Sequence, residues 1–175
     1  MNLTVVRHTS VAVPRGTCYG QTDVALAETF PEEAETVVRN LGDIRPAAVF
    51  TSPLSRCVRL AEFCGYPEAT RDPRLMELNF GEWEMNRWDE ITDPRLNLWF
   101  EDWVNVAATG GEAYVDQCRR VTDFINDLKA KRIDNALIFT HGGVIAHLLV
   151  AAGVITAEEA LGKVPSYGSI VRIKL

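Results

Sequence analysis

The chain holds no run approaching the ~20 consecutive apolar residues that a membrane-spanning helix needs. It opens straight into a strand-like segment, with no basic stretch leading into an apolar signal region, so a cytoplasmic protein is expected. Cysteine is sparse: Cys18, Cys57, Cys64 and Cys118 show no CxxC spacing, which disfavours a metal site or a disulfide framework. Cys57 and Cys64 are seven apart, would share a helix face, and are expected to be buried and reduced. Positive charge is not in excess. A net charge of −6 and a pI near 5.1 argue against nucleic acid and anionic membranes as main partners. No repeat, low-complexity tract or linker interrupts the chain. Histidine is scarce too, at three residues, so where the histidines fall is informative.

What is present fits one domain over residues 1–175: 47% of the residues are hydrophobic and 24% charged, enough for an ordinary core. Leu3 to Arg7 reads as a buried strand ending at His8, and Ala136 to Thr140 as another ending at His141. Ala47 to Thr51 reads as a strand, as do a short piece at Ala69 to Arg71 and the last segment, Ser169 to Leu175. Pro31 can open a helix running through Glu32 to Gly42, with Ala34, Val37, Val38 and Leu41 at helical spacing. Ser52-Pro53 reads as the start of a helix to about Cys64, with Ser52 as cap and Pro53 as first helical residue. Glu112 to Lys131 is the clearest helix, its apolar face marked by Val115, Cys118, Val121, Ile125 and Leu128. Another helix spans Val144 to Ala152. Strands alternating with helices imply an α/β/α three-layer sandwich around a mostly parallel sheet. The stretch of about 83–111 carries all four tryptophans and one or two helices, one of them starting at Asp93-Pro94. It serves either as a pocket wall or as a satellite core.

In such a sheet, ligands bind beyond the carboxyl ends of the strands, so two strand-end histidines can share a site. Arg7 offers planar paired donors to a phosphate or carboxylate, and neutral His8 beside it can attack phosphorus or move a proton. Arg56 lies near a helix start, where free amides favour anions. It is otherwise a solvated arginine, as Arg59 is expected to be. His141, with Gly142 and Gly143 behind it, either faces a ligand or is a buried histidine satisfied by backbone; mid-helix His147 fits the second description. Glu77 sits among apolar neighbours, and a carboxyl so placed beside an anion can hold and donate a proton; Glu82 and Glu84 compete for that role.

Together these residues resemble the histidine phosphatase superfamily, which includes the phosphoglycerate mutases, over nearly the whole chain. Arg7-His8-Thr9 matches the Arg-His-Gly signature with threonine in place of glycine. Ser52-Pro53-Leu54-Ser55-Arg56 matches Ser-x-Leu-x-Arg, Leu75 to Glu84 matches the acid motif, and His141-Gly142 matches the second histidine. Gly16-Thr17-Cys18-Tyr19-Gly20-Gln21-Thr22-Asp23 is similar to the α-ribazole phosphatase branch, whereas Ala113 stands where a serine is usual. The resemblance implies a phosphoglycerate mutase-like fold and a phosphomonoesterase with no metal or cofactor. It implies His8 as nucleophile, Glu77 as acid and base, and Arg7, Arg56 and His141 holding the phosphate. Gly142, Tyr19, Gly20 and Gln21 would line the substrate pocket, with the Gln21 amide free for phosphate or sugar.

The expected partner is a small phosphorylated molecule, most specifically α-ribazole 5′-phosphate of cobalamin synthesis. The alternatives are a phosphatase of broader specificity, a phosphoglycerate mutase, or a phosphate-binding domain without turnover. A mutase needs long insertions that close over the phosphoenzyme, and this chain looks short for them. Oligomeric state is not legible.

Overall fold

A computed structural model describes all residues, 1–175. Its sheet contains β1 (Asn2–Arg7), β2 (Ala48–Thr51), β3 (Thr70–Arg71), β4 (Asn135–Thr140) and β5 (Ile170–Lys174), in the order β3-β2-β4-β1-β5. Adjacent strands are parallel except for β5, which runs antiparallel to β1. The helices are α1 (Phe30–Leu41), α2 (Ser55–Phe63), α3 (Arg95–Glu101), α4 (Tyr114–Ala130) and α5 (Gly142–Ala151).

Strand alternation divides the core between the two faces of the sheet. On one face Val6, Leu137 and Phe139 pack against Ala34, Val37 and Leu41 of α1 and Cys57, Leu60 and Ala61 of α2. On the other, Leu3, Val5, Ala136 and Ile138 meet Val121, Phe124 and Leu128 of α4 and Val144, Ile145 and Leu148 of α5. The result is the expected α/β/α layering. Burying each of the larger aliphatic or aromatic side chains contributes roughly 1.5–3 kcal/mol. No helix is long and apolar enough to cross a membrane.

The register of the central strands decides where function can sit. Arg7 pairs with Thr140 across β1 and β4, so His8 and His141 leave the sheet side by side. Thr51 pairs with Phe139, and the Ser52 amide donates to the Phe139 carbonyl at 2.9 Å, which brings the start of α2 to the same edge.

Three local expectations need correction. Ser52 does not cap α2. The helix begins at Ser55, whose amide and hydroxyl both donate to Oδ1 of Asp23, at 2.9 and 2.8 Å. The buried face of α4 keeps Val121, Ile125 and Leu128 of the expected stripe and adds Tyr114, Gln117 and Phe124, whereas Val115 is exposed and Cys118 only partly buried. Cys57 is fully buried, but Cys64 only partly.

The segment after Leu75 is held by long-range bonds. Thr140 Oγ1 donates to the Leu75 carbonyl at 2.7 Å, tying it to the end of β4. Arg120 of α4, paired with Glu112, donates to the carbonyls of Arg74, Met76 and Glu77. Around 83–111 the chain forms short 3-10 turns and α3, closed on a small core of Cys18, Trp83, Leu96, Trp99 and Ala108. Asp93 fastens it by accepting from Trp83 Nε1 at 2.7 Å and from the Thr109 hydroxyl.

Candidate active site

His8 is buried at the carboxyl end of β1. Its Nδ1 lies 2.8 Å from the Thr9 carbonyl oxygen. A carbonyl only accepts, so the ring hydrogen sits on Nδ1, and Nε2 carries the lone pair. Burial first, then the Arg56 charge, push His8 down to about 3; the Thr9 bond opposes them and Arg7 adds a smaller push. The ring is therefore neutral at physiological pH.

His141 caps α5 and is fully buried, its ring centroid 5.1 Å from that of His8. Nε2 shares a hydrogen bond with Ser52 Oγ at 2.8 Å, which fixes the plane of the ring. Burial, then Arg56 and His8, hold it well below the ordinary histidine value.

Arg56 is fully buried, contrary to a solvated surface role, and Arg59 is exposed as expected. Two nitrogens of Arg56 donate to the carbonyls of Thr22 and Gly20, at 3.0 and 2.5 Å, while Nε is buried without a partner. Arg7 donates to the Pro165 carbonyl, and its Nε is likewise unpaired. Two unsatisfied guanidinium N–H groups near one neutral imidazole make a site suited to an anion. A Cβ on Gly142 would overlap Val164 Cγ1 at 2.4 Å and press on Arg7 Cζ at 3.3 Å, so glycine lets α5 start against both side chains.

Glu77 lines the cleft that His8 and Arg7 open into. Leu78 N and Gln117 Nε2 donate to its Oε1 at 2.8 and 3.0 Å, and Gly143 N donates to Oε2 at 3.1 Å. Any side chain at Gly143 would overlap Glu77 Oε1, which explains the second glycine. Neither rival carboxylate takes this place. Glu82 is exposed. Glu84 accepts from Thr22, Gln21 and Phe80, and these bonds outweigh the upward effect of burial and leave its carboxyl below the usual range.

The 19–21 segment is only partly as expected. Tyr19 lines the cleft. Gly20 packs behind it, where a Cβ would overlap the Leu78 carbonyl. The Gln21 amide is not free for substrate: it donates to the Glu77 carbonyl at 3.1 Å and steadies the backbone of that residue. Two cleft residues escaped the sequence reading. Gln117 is fully buried against Glu77, and a glutamine on the apolar stripe of a helix is a usable signal. Tyr167 lies with its ring 4.2 Å under Arg7 Cζ and 5.4 Å from His8, and its hydroxyl meets that of Tyr19 at 2.5 Å. It belongs to no motif. His147 stays outside, hydrogen bonded to Thr122 at 3.1 Å. No cluster of three or more His, Cys, Asp or Glu side chains is placed to hold a metal ion.

The sequence profile of the histidine phosphatase superfamily (branch 1) matches residues 3–175. The chain belongs to that superfamily. Among its relatives, the adenosylcobalamin/alpha-ribazole phosphatase of Salmonella typhimurium is 37% identical over 81 residues, 44% of this chain. That alignment takes in 40% of the Salmonella protein, so the chain spans less than half the length of this curated relative. The crystal structure of the alpha-ribazole phosphatase from Shigella flexneri superposes with a TM-score of 0.88 at 25% identity, covering 100% of this chain and 91% of that one. A Thermus thermophilus protein of known crystal structure, TTHB049, gives 0.80 at 30% identity over 99% of this chain and 94% of its own. The fold is thus that of the superfamily, as the motifs implied.

Proposed function

We propose that this protein is a phosphomonoesterase that works through a phosphohistidine on His8. The observation that carries the proposal is the state of His8: Nδ1 engaged by the Thr9 carbonyl, Nε2 unprotonated, and unsatisfied guanidinium N–H groups alongside. Nε2 attacks phosphorus in line while the bond to the leaving oxygen breaks. Arg7, Arg56 and His141 bind the phosphoryl oxygens and stabilise the charge spread over them in the transition state. Glu77, as its carboxylic acid, gives a proton to the departing alkoxide. It then takes a proton from the water that attacks the phosphohistidine, which releases inorganic phosphate and restores neutral His8.

The substrate reading is α-ribazole 5′-phosphate, supported by the relatives of that name and by the Cys18-Tyr19-Gly20 segment. It is tested with a panel of phosphomonoesters that includes this nucleotide. A preference of ~100-fold in kcat/KM, about 2.7 kcal/mol of transition-state discrimination, is expected for it. Comparable rates across sugar phosphates and other small esters would make the protein a broad-specificity phosphatase instead.

A further inference from the structure

The groups that would hold a phosphoryl anion are shut away from solvent. His8 is 2% exposed, and Arg56 and His141 are 0% exposed. The cleft of about 250 Å³ reaches Arg7, His8 and Glu77 but stops short of Arg56 and His141. Trp88, Trp99 and Trp103 line it, so the 83–111 stretch is both satellite core and pocket wall. An anion reaches the unpaired Nε of Arg56 only when a group that covers it gives way.

Two tyrosines frame the guanidiniums. The Tyr19 ring lies over Arg56, its centroid 5.5 Å from Cζ, and the Tyr167 ring lies 4.2 Å from Arg7 Cζ. Both distances fall within the ~6 Å over which a ring face attracts a cation. The two hydroxyls meet at 2.5 Å, although the residues are 148 apart in sequence. Each guanidinium is thus backed by one ring, and a single hydrogen bond joins the rings.

The backbone is pinned on both sides. Tyr167 sits in a turn closed by Ser169 N donating to the Ser166 carbonyl at 3.2 Å, and Gly168, with φ of 67°, supplies the left-handed residue that this turn requires. Gly168 N donates to the His8 carbonyl at 3.1 Å, and Arg7 N to the Ser169 carbonyl at 3.0 Å, which ties the turn to the end of β1. Tyr19 precedes Gly20, whose carbonyl accepts from Arg56 and whose Cα packs on the Leu78 carbonyl. Freedom therefore lies in the side chains. The Tyr167 ring touches both Arg7 and the His8 ring, at 5.4 Å from the latter. The Tyr19 ring has the looser contact and faces the cleft, which gives it room to turn.

We infer that Tyr167 is a positioning residue for Arg7, and that Tyr19 is a movable cover over Arg56, latched shut by the hydroxyl pair. The Tyr19 ring swings into the cleft to admit the anion, while the Tyr167 ring stays against Arg7. The latched population does not bind, so the bond lowers apparent anion affinity in proportion to the open fraction. The inference rests on the anion pocket of the monoesterase reading, and binding without turnover tests it separately.

Tyr167 is 39% exposed, so substitutions there leave the core intact. Calorimetry with inorganic phosphate compares the original protein with Tyr19→Phe, Tyr167→Phe, the double variant and Tyr167→Leu. Each Phe variant should bind phosphate roughly 5-fold tighter, the factor that one net hydrogen bond supplies. The double variant should match the single ones, because both changes remove the same bond. Tyr167→Leu also loses the ring and should bind about 3-fold or more weaker than Tyr167→Phe. Unchanged or weaker binding by the Phe variants, or gains that add in the double variant, overturns the latch. Equal affinities of Tyr167→Leu and Tyr167→Phe overturn the positioning role. Hydrolysis of esters alongside either of these failures leaves the monoesterase standing. The expected binding pattern with no ester hydrolysed upholds the latch and removes the monoesterase. No phosphate binding by any of the proteins overturns both.

Discussion

The side-chain amide of Gln117 donates to Oε1 of Glu77 at 3.0 Å from a fully buried position on α4. This bond, with those from Leu78 N and Gly143 N, fixes the carboxyl in one orientation before any ligand arrives. Oε1 takes two donors and Oε2 one, so Oε2 has the freer lone pairs for the proton transfer proposed for Glu77.

Gln117→Leu keeps the volume and removes the amide. Because general-acid assistance accounts for about 10²–10⁴ in rate, partial loss of alignment should slow alkyl phosphates by roughly 10-fold or more. An ester of 4-nitrophenol, whose leaving group needs little protonation, should be nearly unaffected. Equal losses with both ester types would show that Gln117 supports the fold rather than the acid.

Ser52→Ala releases the His141 ring from its 2.8 Å hydrogen bond. Losing one such bond to a buried partner costs about 1–3 kcal/mol. Inorganic phosphate should inhibit the variant roughly 5-fold or more weaker, with KM rising alongside. An unchanged inhibition constant would mean that Ser52 does not orient His141 toward the anion.

Stability should depend on acid through the two buried imidazoles. Both are held neutral in the folded protein, His8 down to about 3 and His141 well below its ordinary value. In the unfolded chain each binds a proton below about 6.5. Above that pH neither contributes. As pH falls from about 6.5 toward 3, the unfolded state gains protons that the native state refuses, and stability drops by up to about 1.4 kcal/mol per pH unit for each group. Urea unfolding of His8→Asn between pH 6 and 4 should show a slope shallower by close to one proton. A slope identical to that of the original protein would contradict the assignment of His8 as a buried neutral base.

Gly20→Ala places a methyl on the Leu78 carbonyl, and the Gly20 carbonyl is an anchor for Arg56 at 2.5 Å. Overpacking of this kind costs about 1–3 kcal/mol. Denaturant midpoints should fall accordingly, with a rise in KM as the guanidinium shifts. A variant of full stability and unchanged KM would separate Arg56 from the 20–22 loop.

Much of the edge that carries the candidate site is legible because strands announce themselves. Apolar β-branched runs ending at His8 and His141 marked two strand ends, and only the register, Arg7 against Thr140, was needed to set them together. Arg56 is legible through a helix start, but Ser52 is not its cap: the Ser55 amide at the start of α2 donates to Asp23, 32 residues away in sequence, and the Ser52 hydroxyl is occupied by His141. Gln21 looked free because nothing local shows that the Glu77 carbonyl waits for its amide. Tyr167 was invisible because its contacts with Arg7 and Tyr19 span most of the chain, and no periodicity or motif marks it. Gln117 could have been found, since a polar residue in line with Val121, Phe124 and Leu128 on a buried stripe asks for a partner.

The central claim is that His8 Nε2 becomes covalently phosphorylated. Rapid mixing with excess phosphomonoester, quenching under alkaline denaturing conditions that preserve phosphoramidates, and peptide mass spectrometry test it directly. The account predicts a transient phosphate on the peptide that carries His8, formed and lost at rates compatible with kcat and absent in His8→Ala, which should be inactive. Phosphate trapped on a different residue, or hydrolysis at the full rate by His8→Ala, would contradict it.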